Sequence, residues 1–269
     1  MNYRHAFHAG NHADVLKHVV LIYCLAHLRR KETPFAVLDT HAGVGLYDLA
    51  GEEAARSPEW RDGIEKLWGW NEAPAPVAAY LEAVAAFNAD GALRTYPGSP
   101  ALIARALRPQ DRLAACELHP EDAAALKRRV GAAGHVQIHQ RDGWAAMGAL
   151  LPFPERRGLV LIDPAYEAGD EMERSVAALK TGLKRFAHGT FLWWRPLKDG
   201  RALDRADAEL AAPGLRADFW IDDPMRNTKL VGSSMYVINP PFGLEDALRE
   251  ALPALSARLT LGASGWALR

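Results

Sequence analysis

Apolar and polar positions follow two rhythms along this chain. From about residue 13 to residue 30, Val15, Leu16, Val19, Val20 and Tyr23 recur at helical spacing. Asn11, followed three residues on by Asp14, predicts the start of that helix. Short apolar runs come next, most of them closed by a polar residue: 35–38 before Asp39, 113–116 before Glu117, 136–139 before Asp142 and 159–162 before Asp163. Runs at 190–194, 216–221 and 235–238 complete the set. The first five alternate with helical segments, the signature of a parallel sheet wrapped by helices. The last two are joined by a polar loop and predict a closing hairpin. The expected fold is α/β and Rossmann-like, with a seven-stranded, mostly parallel sheet, a terminal hairpin and room for a short eighth strand near 263–268. No internal repeat is visible.

One interval breaks the rhythm. Roughly seventy residues separate Gly45 from Glu117, where a βαβ step needs roughly 30. Two helical patterns lie in the excess, at 59–70 and 76–88. Residues 47–98 are therefore read as a helical insertion into a core made of 1–46 and 99–269. It sits beside the carboxyl ends of the strands, where open α/β sheets bind ligands.

Composition narrows the class. Of 269 residues, 49% are hydrophobic and 24% charged, a balance that excludes wholesale disorder. A net charge of −1 excludes a uniformly basic coat while leaving room for a local basic face. The longest apolar runs, such as 19–26, are far short of a membrane span, and the polar, histidine-rich start predicts no signal peptide. Two cysteines, Cys24 and Cys116, fit a reducing cytoplasm.

Four strand ends carry candidate chemistry. Asp39-Thr-His-Ala-Gly43-Val-Gly45 offers glycines that let the backbone approach a ligand, although Gly-x-Gly also marks ordinary turns. Glu117 could accept both ribose hydroxyls of an adenosine-containing cofactor. Asp142 could accept from an adenine amino group, with Gly143 leaving room for the ring; Asp-Gly is also a common turn. The fourth decides the reading. In Asp163-Pro164-Ala165-Tyr166, the Asp163 carboxylate and the Pro164 carbonyl could grip both N–H groups of an exocyclic amine. That grip pulls its delocalised lone pair towards nucleophilic geometry. Tyr166 would stack on an extruded base.

Other features compete. Asn239-Pro-Pro-Phe242 mimics that turn but follows the sixth or seventh strand, and is read as structural. His5, His8, His12 and His18 make a metal site conceivable, but no supporting spacing accompanies them and no metal is expected; Lys17 could meet a ligand carboxylate. Most basic pairs read as solvated helix ends, whereas Arg195, Lys198 and Arg201 are the better phosphate candidates.

The blocks 3–18, 38–45, 96–100, 117–120 and 162–167 together resemble the RlmJ family of 23S rRNA adenine-N6 methyltransferases, from residue 3 to about 242. The resemblance implies a class I S-adenosylmethionine-dependent methyltransferase fold. Its donor would be S-adenosylmethionine, its product S-adenosylhomocysteine, and it would need no metal. Residue by residue, it implies cofactor contacts from Lys17, His18, His41, Gly43, Ser99, Glu117, Asp142, Gly143 and Asp163, with Lys17 near the methionine end. Catalysis would fall to Asp163, Pro164 and Tyr166, and RNA contact to Tyr3 and Tyr166. The implied partner is naked or early-assembly 23S rRNA, met by a cytoplasmic monomer. Ala165 stands where the family carries a second proline, a loss of one ring of rigidity with a modest expected effect on rate. Amino-methyl transfer to DNA adenine or a protein glutamine, a silent RNA-binding factor and a metal hydrolase are the alternatives.

Overall fold

A computed structural model describes residues 4–132 and 134–269; Tyr3 lies outside them. The first half carries α1 (His12–Arg29), β1 (Ala36–Asp39), β2 (Leu46–Asp48), α2 (Glu52–Arg56), α3 (Ile64–Leu67), α4 (Ala75–Ala85), β3 (Thr95–Pro97), α5 (Ser99–Ala106), β4 (Arg112–Glu117) and α6 (Pro120–Val130). The second half carries β5 (Val136–Gln140), α7 (Gly143–Leu150), β6 (Gly158–Ile162), α8 (Glu171–Arg185), β7 (Thr190–Pro196), α9 (Gly200–Leu210), β8 (Gly214–Trp220), β9 (Gly232–Ile238), α10 (Leu244–Leu259) and β10 (Gly265–Leu268).

The main sheet has eight strands in the order β10-β8-β9-β7-β6-β1-β4-β5. The five central and right-hand members are parallel, and β9, β8 and β10 add antiparallel pairings. The seven expected strands are all present, and the short eighth expected near 263–268 forms at 265–268, where it pairs with β8. Register brings the chemistry to one edge. Asp39 faces Ala115 and Leu161, Glu117 faces Gln140, and Ile162 faces Trp193.

Both faces of the sheet are covered. Leu159, Leu161, Leu192 and Trp194 join the core beneath α1 and α10, while Val160, Ile162, Phe191 and Trp193 join the core beneath α7, α8 and α9. Strands buried on both sides need apolar side chains at every position, hence the near-continuous runs in the sequence. No described helix is long and apolar enough to cross a membrane.

Asn11 caps α1 as expected, its side chain accepting from the amides of Ala13 and Asp14. Asp14 does not reach back to the Asn11 amide as a capping box would; it accepts instead from the Gly10 amide at 2.8 Å. The segment between β1 and β4 differs from its expected form. A single helix over 59–70 is replaced by a 3₁₀ turn at Glu59–Asp62 and the short α3. The break falls at Gly63, where a Cβ would come within 2.1 Å of the Gly10 carbonyl oxygen. That close approach lets the Ile64 amide donate to Gly10 at 2.9 Å, a tertiary bond that local periodicity cannot register. The segment leaves and returns through the antiparallel pair β2–β3.

The Asn239 turn lies at the opposite edge from the chemistry. Because β9 runs antiparallel to β7, Ile238 pairs with Phe191 near the start of β7. The Asn239 amide donates to the Ala187 and Gly189 carbonyls at 2.9 and 2.8 Å, a structural role.

Candidate active site

A cavity of about 460 Å³ opens at the carboxyl edge of the parallel strands, within the range of small-molecule sites. Of the residues expected to build a site, Lys17, His41, Gly43, Ser99, Glu117, Asp142, Gly143, Asp163, Pro164 and Tyr166 all line it. His18 does not. Its ring is wholly buried, stacked on Tyr96 with Nδ1 2.8 Å from the Tyr96 hydroxyl, and Nε2 has no partner among the described residues.

The loop after β1 is held from both sides. Thr40 Oγ1 donates to the Leu161 carbonyl at 2.9 Å, and the Ala42 amide donates to Cys116. With the Thr40 hydrogen so engaged, His41 Nδ1, 2.7 Å away, is the donor of its pair. His41 Nε2 is then a bare acceptor without a partner among the described residues. Burial lowers the His41 pKa to about 4, so the ring is neutral. Gly43 adopts φ +60°, where glycine alone is unstrained, and its amide donates to Glu117 Oε2 at 3.0 Å. Glu117 Oε1 accepts from the His119 amide at 2.8 Å. Burial raises the Glu117 pKa against these two bonds. This carboxylate therefore braces the glycine loop as well as facing the cavity.

Asp142 caps α7 through the Ala145 amide and accepts from Arg174 at 2.9 Å; the Arg174 guanidinium lies 3.8 Å from the Trp144 ring. Gly143 has a reason other than ligand space: a Cβ there would stand 1.9 Å from the Thr40 carbonyl oxygen. Ser99 donates to Asp39 Oδ2 at 2.7 Å, while Asp39 Oδ1 has no side-chain partner among the described residues. Burial raises the Asp39 pKa to about 7.

The centre of the site is a charge triad. Lys17 Nζ lies 2.5 Å from Asp163 Oδ2 and 2.7 Å from Asp14 Oδ1. Asp14 Oδ2 also meets His5 Nε2 at 2.9 Å. Burial opposes charge on Lys17, but its two carboxylates outweigh burial and hold the pKa above the ordinary lysine value. Burial likewise opposes charge on Asp14, yet His5 and Lys17 keep it well below the carboxylate range. Asp14 is the residue that sequence reasoning missed. Its signal is an Asp and a Lys three apart among the apolar positions of α1.

Asp163 Oδ1 and the Pro164 carbonyl accept no hydrogen bond from the described residues. Beside them Tyr166 sits at φ +54°, its hydroxyl donating to the Trp194 carbonyl at 3.1 Å and accepting from Trp193 Nε1 at 2.8 Å. Lys198 and Lys229 line the mouth from the loops after β7 and β8. Arg195 does not serve as a phosphate ligand. It lies within β7, fully buried, ion-paired to Asp207 and donating to Ser234 Oγ at 3.1 Å. Arg201 is exposed on α9. The four N-terminal histidines go to separate places: His5 on Asp14, His8 on Glu59, His12 against Phe219 and His18 on Tyr96. Among the described residues no group of three or more His, Cys, Asp or Glu could hold a metal ion.

His18 makes acid sensitivity calculable. Burial lowers its pKa from 6.5 to about 3. The unfolded chain therefore binds this proton first, and stability falls as pH drops below 6.5. Between pH 8 and pH 5 His18 alone is expected to remove about 2 kcal/mol. Urea titrations at the two pH values, compared with His18→Gln, check this; the variant should lose that share of the pH dependence.

A parallel sheet of this order, a glycine loop after its first strand, an acid closing the next and an Asp-Pro turn closing β6 define the class I S-adenosylmethionine-dependent methyltransferase fold. Similarity narrows the class. The family model described as "Ribosomal RNA large subunit methyltransferase D, RlmJ" matches residues 32–269. An Escherichia coli (strain K12) protein named "Ribosomal RNA large subunit methyltransferase J" is 40% identical, with 99% of this chain and 97% of that protein covered. Its Haemophilus influenzae namesake is 41% identical, with 98% and 96% covered. The crystal structure of protein LPL1258 from Legionella pneumophila superposes with a TM-score of 0.90 at 32% identity, covering 97% of this chain and 98% of that one. The chain belongs to the RlmJ family and is a ribosomal RNA methyltransferase.

Proposed function

We propose that the protein transfers a methyl group from S-adenosylmethionine to the exocyclic N6 of one adenine in 23S rRNA. The observation that carries this reading is the pair of open acceptors, Asp163 Oδ1 and the Pro164 carbonyl, on one turn at the end of β6. An aromatic amine needs two such acceptors, one for each N–H.

The donor set suits an adenosylated, zwitterionic cofactor. His41 Nε2 is a buried acceptor without a partner among the described residues, and the Gly43 amide and Glu117 present a backbone-braced carboxylate to the cavity. His41, Gly43, Ser99, Glu117, Asp142 and Gly143 would hold the cofactor, with Lys17 and Asp163 at its reactive end. When bound, it supplies a methyl group on a sulfonium. The chain's own residues do the rest. Lys17 holds Asp163 in place through their ion pair. Asp163 and Pro164 draw the amine hydrogens and stabilise positive charge developing on nitrogen. Tyr166 and Trp194, with ring centroids 5.8 Å apart, wall the base. Residues 47–98, read as an insertion on the core, contribute Ser57 and Glu59 to the cavity wall. The substrate is protein-free or early-assembly RNA, and the enzyme acts as a cytoplasmic monomer.

Lys198 and Lys229 make no ion pair among the described residues and are placed to meet phosphates flanking the target. Lys198→Ala with Lys229→Ala is expected to raise KM for RNA several-fold. It should also lower the slope of log KM against log salt by about 1 for each lost contact, with cofactor affinity unchanged.

The direct test offers labelled S-adenosylmethionine with protein-free 23S rRNA and, separately, genomic DNA. Nucleosides from each are then identified by mass. N6-methyladenosine from RNA alone is expected. No label in either, despite cofactor binding, would overturn the reading.

A further inference from the structure

The catalytic turn lacks the means to hold itself. Residues 163–167 belong to no helix or strand, and Pro164, Ala165 and Tyr166 make no backbone hydrogen bond with the described residues. Pro164 fixes only its own φ, and Ala165 offers no ring or long side chain. Tyr166 occupies the left-handed region, at φ +54°, which a bulky aromatic residue avoids unless its surroundings impose it.

What imposes it comes from the neighbouring strand. The Tyr166 hydroxyl is held at two points, by the indole N–H of Trp193 at 2.8 Å and by the Trp194 carbonyl at 3.1 Å. Trp193 is itself immobile. It is fully buried, and the Arg195 guanidinium lies 4.7 Å from its ring centroid. Arg195 is fixed in turn by Asp207, by Ser234 and by the Tyr236 ring at 5.1 Å. An ion pair between β7 and α9 thus backs a tryptophan whose only polar side-chain atom is aimed at the turn.

We propose that Trp193 is a positioning residue for methyl transfer: by gripping the Tyr166 hydroxyl it locks the Asp163–Tyr166 turn so that Asp163 Oδ1 and the Pro164 carbonyl stay aimed at one point. Arg195, absent from the cavity wall, supports the reaction by holding Trp193. This rests on the methyl-transfer reading above and adds to it what keeps the acceptors in register.

Trp193→Phe keeps the aromatic bulk and removes the N–H; Tyr166→Phe removes the same bond together with the one to the Trp194 carbonyl. Trp193→Phe is expected to lower kcat about two- to tenfold, the worth of one hydrogen bond, and Tyr166→Phe at least as much, with KM for RNA and cofactor affinity held. The double variant should be no slower than Tyr166→Phe, because that variant already lacks the one bond that Trp193→Phe removes. A purely structural tryptophan would lower the melting temperature and leave kcat alone. Wild-type kcat in Trp193→Phe, or a double variant slowed by the product of the two singles, would overturn the proposal. If Trp193→Phe does not fold, Tyr166→Phe decides, and wild-type kcat in it has the same consequence. Rates are read as total methyl transfer to RNA, relative to wild type. A product other than N6-methyladenosine would then overturn the earlier reading while leaving this test intact.

Discussion

Replacing Asp163 by Asn is expected to slow methyl transfer to RNA by about 10²–10³-fold, the scale of losing one preorganised electrostatic contact to the transition state. The geometry says why so conservative a change should be so damaging. Lys17 donates to Oδ2 of Asp163 at 2.5 Å. An asparagine must turn its carbonyl towards that ammonium, which leaves its NH₂ where Oδ1 stood. A donor would then face the N–H of the incoming amine. Asp163→Ala removes the acceptor altogether and is expected to abolish turnover. Both variants should fold, because Lys17 retains Asp14 at 2.7 Å. Single-turnover rates with saturating cofactor, together with equilibrium dialysis of the cofactor, separate chemistry from binding. An Asp163→Asn enzyme working above a tenth of the wild-type rate would remove Asp163 from the reaction.

Lys17→Met should cost about 3–5 kcal/mol of stability, as breaking a buried ion pair from one side does, and should also silence the enzyme. Asp14 is 2% exposed and Lys17 5%. Without the ammonium, the Asp14 and Asp163 carboxylates face each other across a space shielded from water. For a chain this long the melting temperature should fall by roughly 6–20 °C. The pH dependence carries a sign. In the wild type the depressed Asp14 pKa contributes stability above its unfolded value of 3.8, lost only as pH falls through the lower folded pKa. In the variant the Lys17 share of that depression is gone, only His5 still favours the Asp14 charge, and protonation relieves the repulsion. The deficit should therefore be largest near pH 7 and shrink towards pH 4. Adding Asp14→Asn should restore part of the loss at pH 7. A deficit independent of pH would mean that Lys17 acts through its packed methylenes alone.

Much of the scaffold is readable one segment at a time. The strands that carry the site are buried on both faces, so their apolar runs stand out without knowledge of partners. The polar residues that close them, Asp39, Glu117 and Asp163, fall at strand ends because a carboxylate is tolerated only where the sheet meets the cavity or finds a partner. The start of α1 at Asn11 is equally local. The Asp163–Tyr166 turn, the glycine loop and the resemblance carried by the N-terminal block placed the chemistry at one edge, where the cavity opens.

The failures share a physical cause: their partners lie far away in the chain. Gly63 splits an expected helix because the Gly10 backbone passes within contact of it. Arg195 reads as a free cation just past a strand, but β7 is longer than its apolar run, and Asp207 of α9 neutralises the charge inside the core. Gly143 must also leave room for the Thr40 carbonyl, a demand made from 103 positions away. Asp14 reads as half of a helix cap and becomes, through Lys17, the support of a residue 146 positions beyond that lysine. Local sequence determined the elements, their order and the edge at which the acids gather, because periodicity and turn chemistry act over a few residues. Only the tertiary structure decided which charges pair, which histidine stands behind the cavity wall and what holds Tyr166, because burial turns pairings between distant residues into the dominant electrostatic interactions.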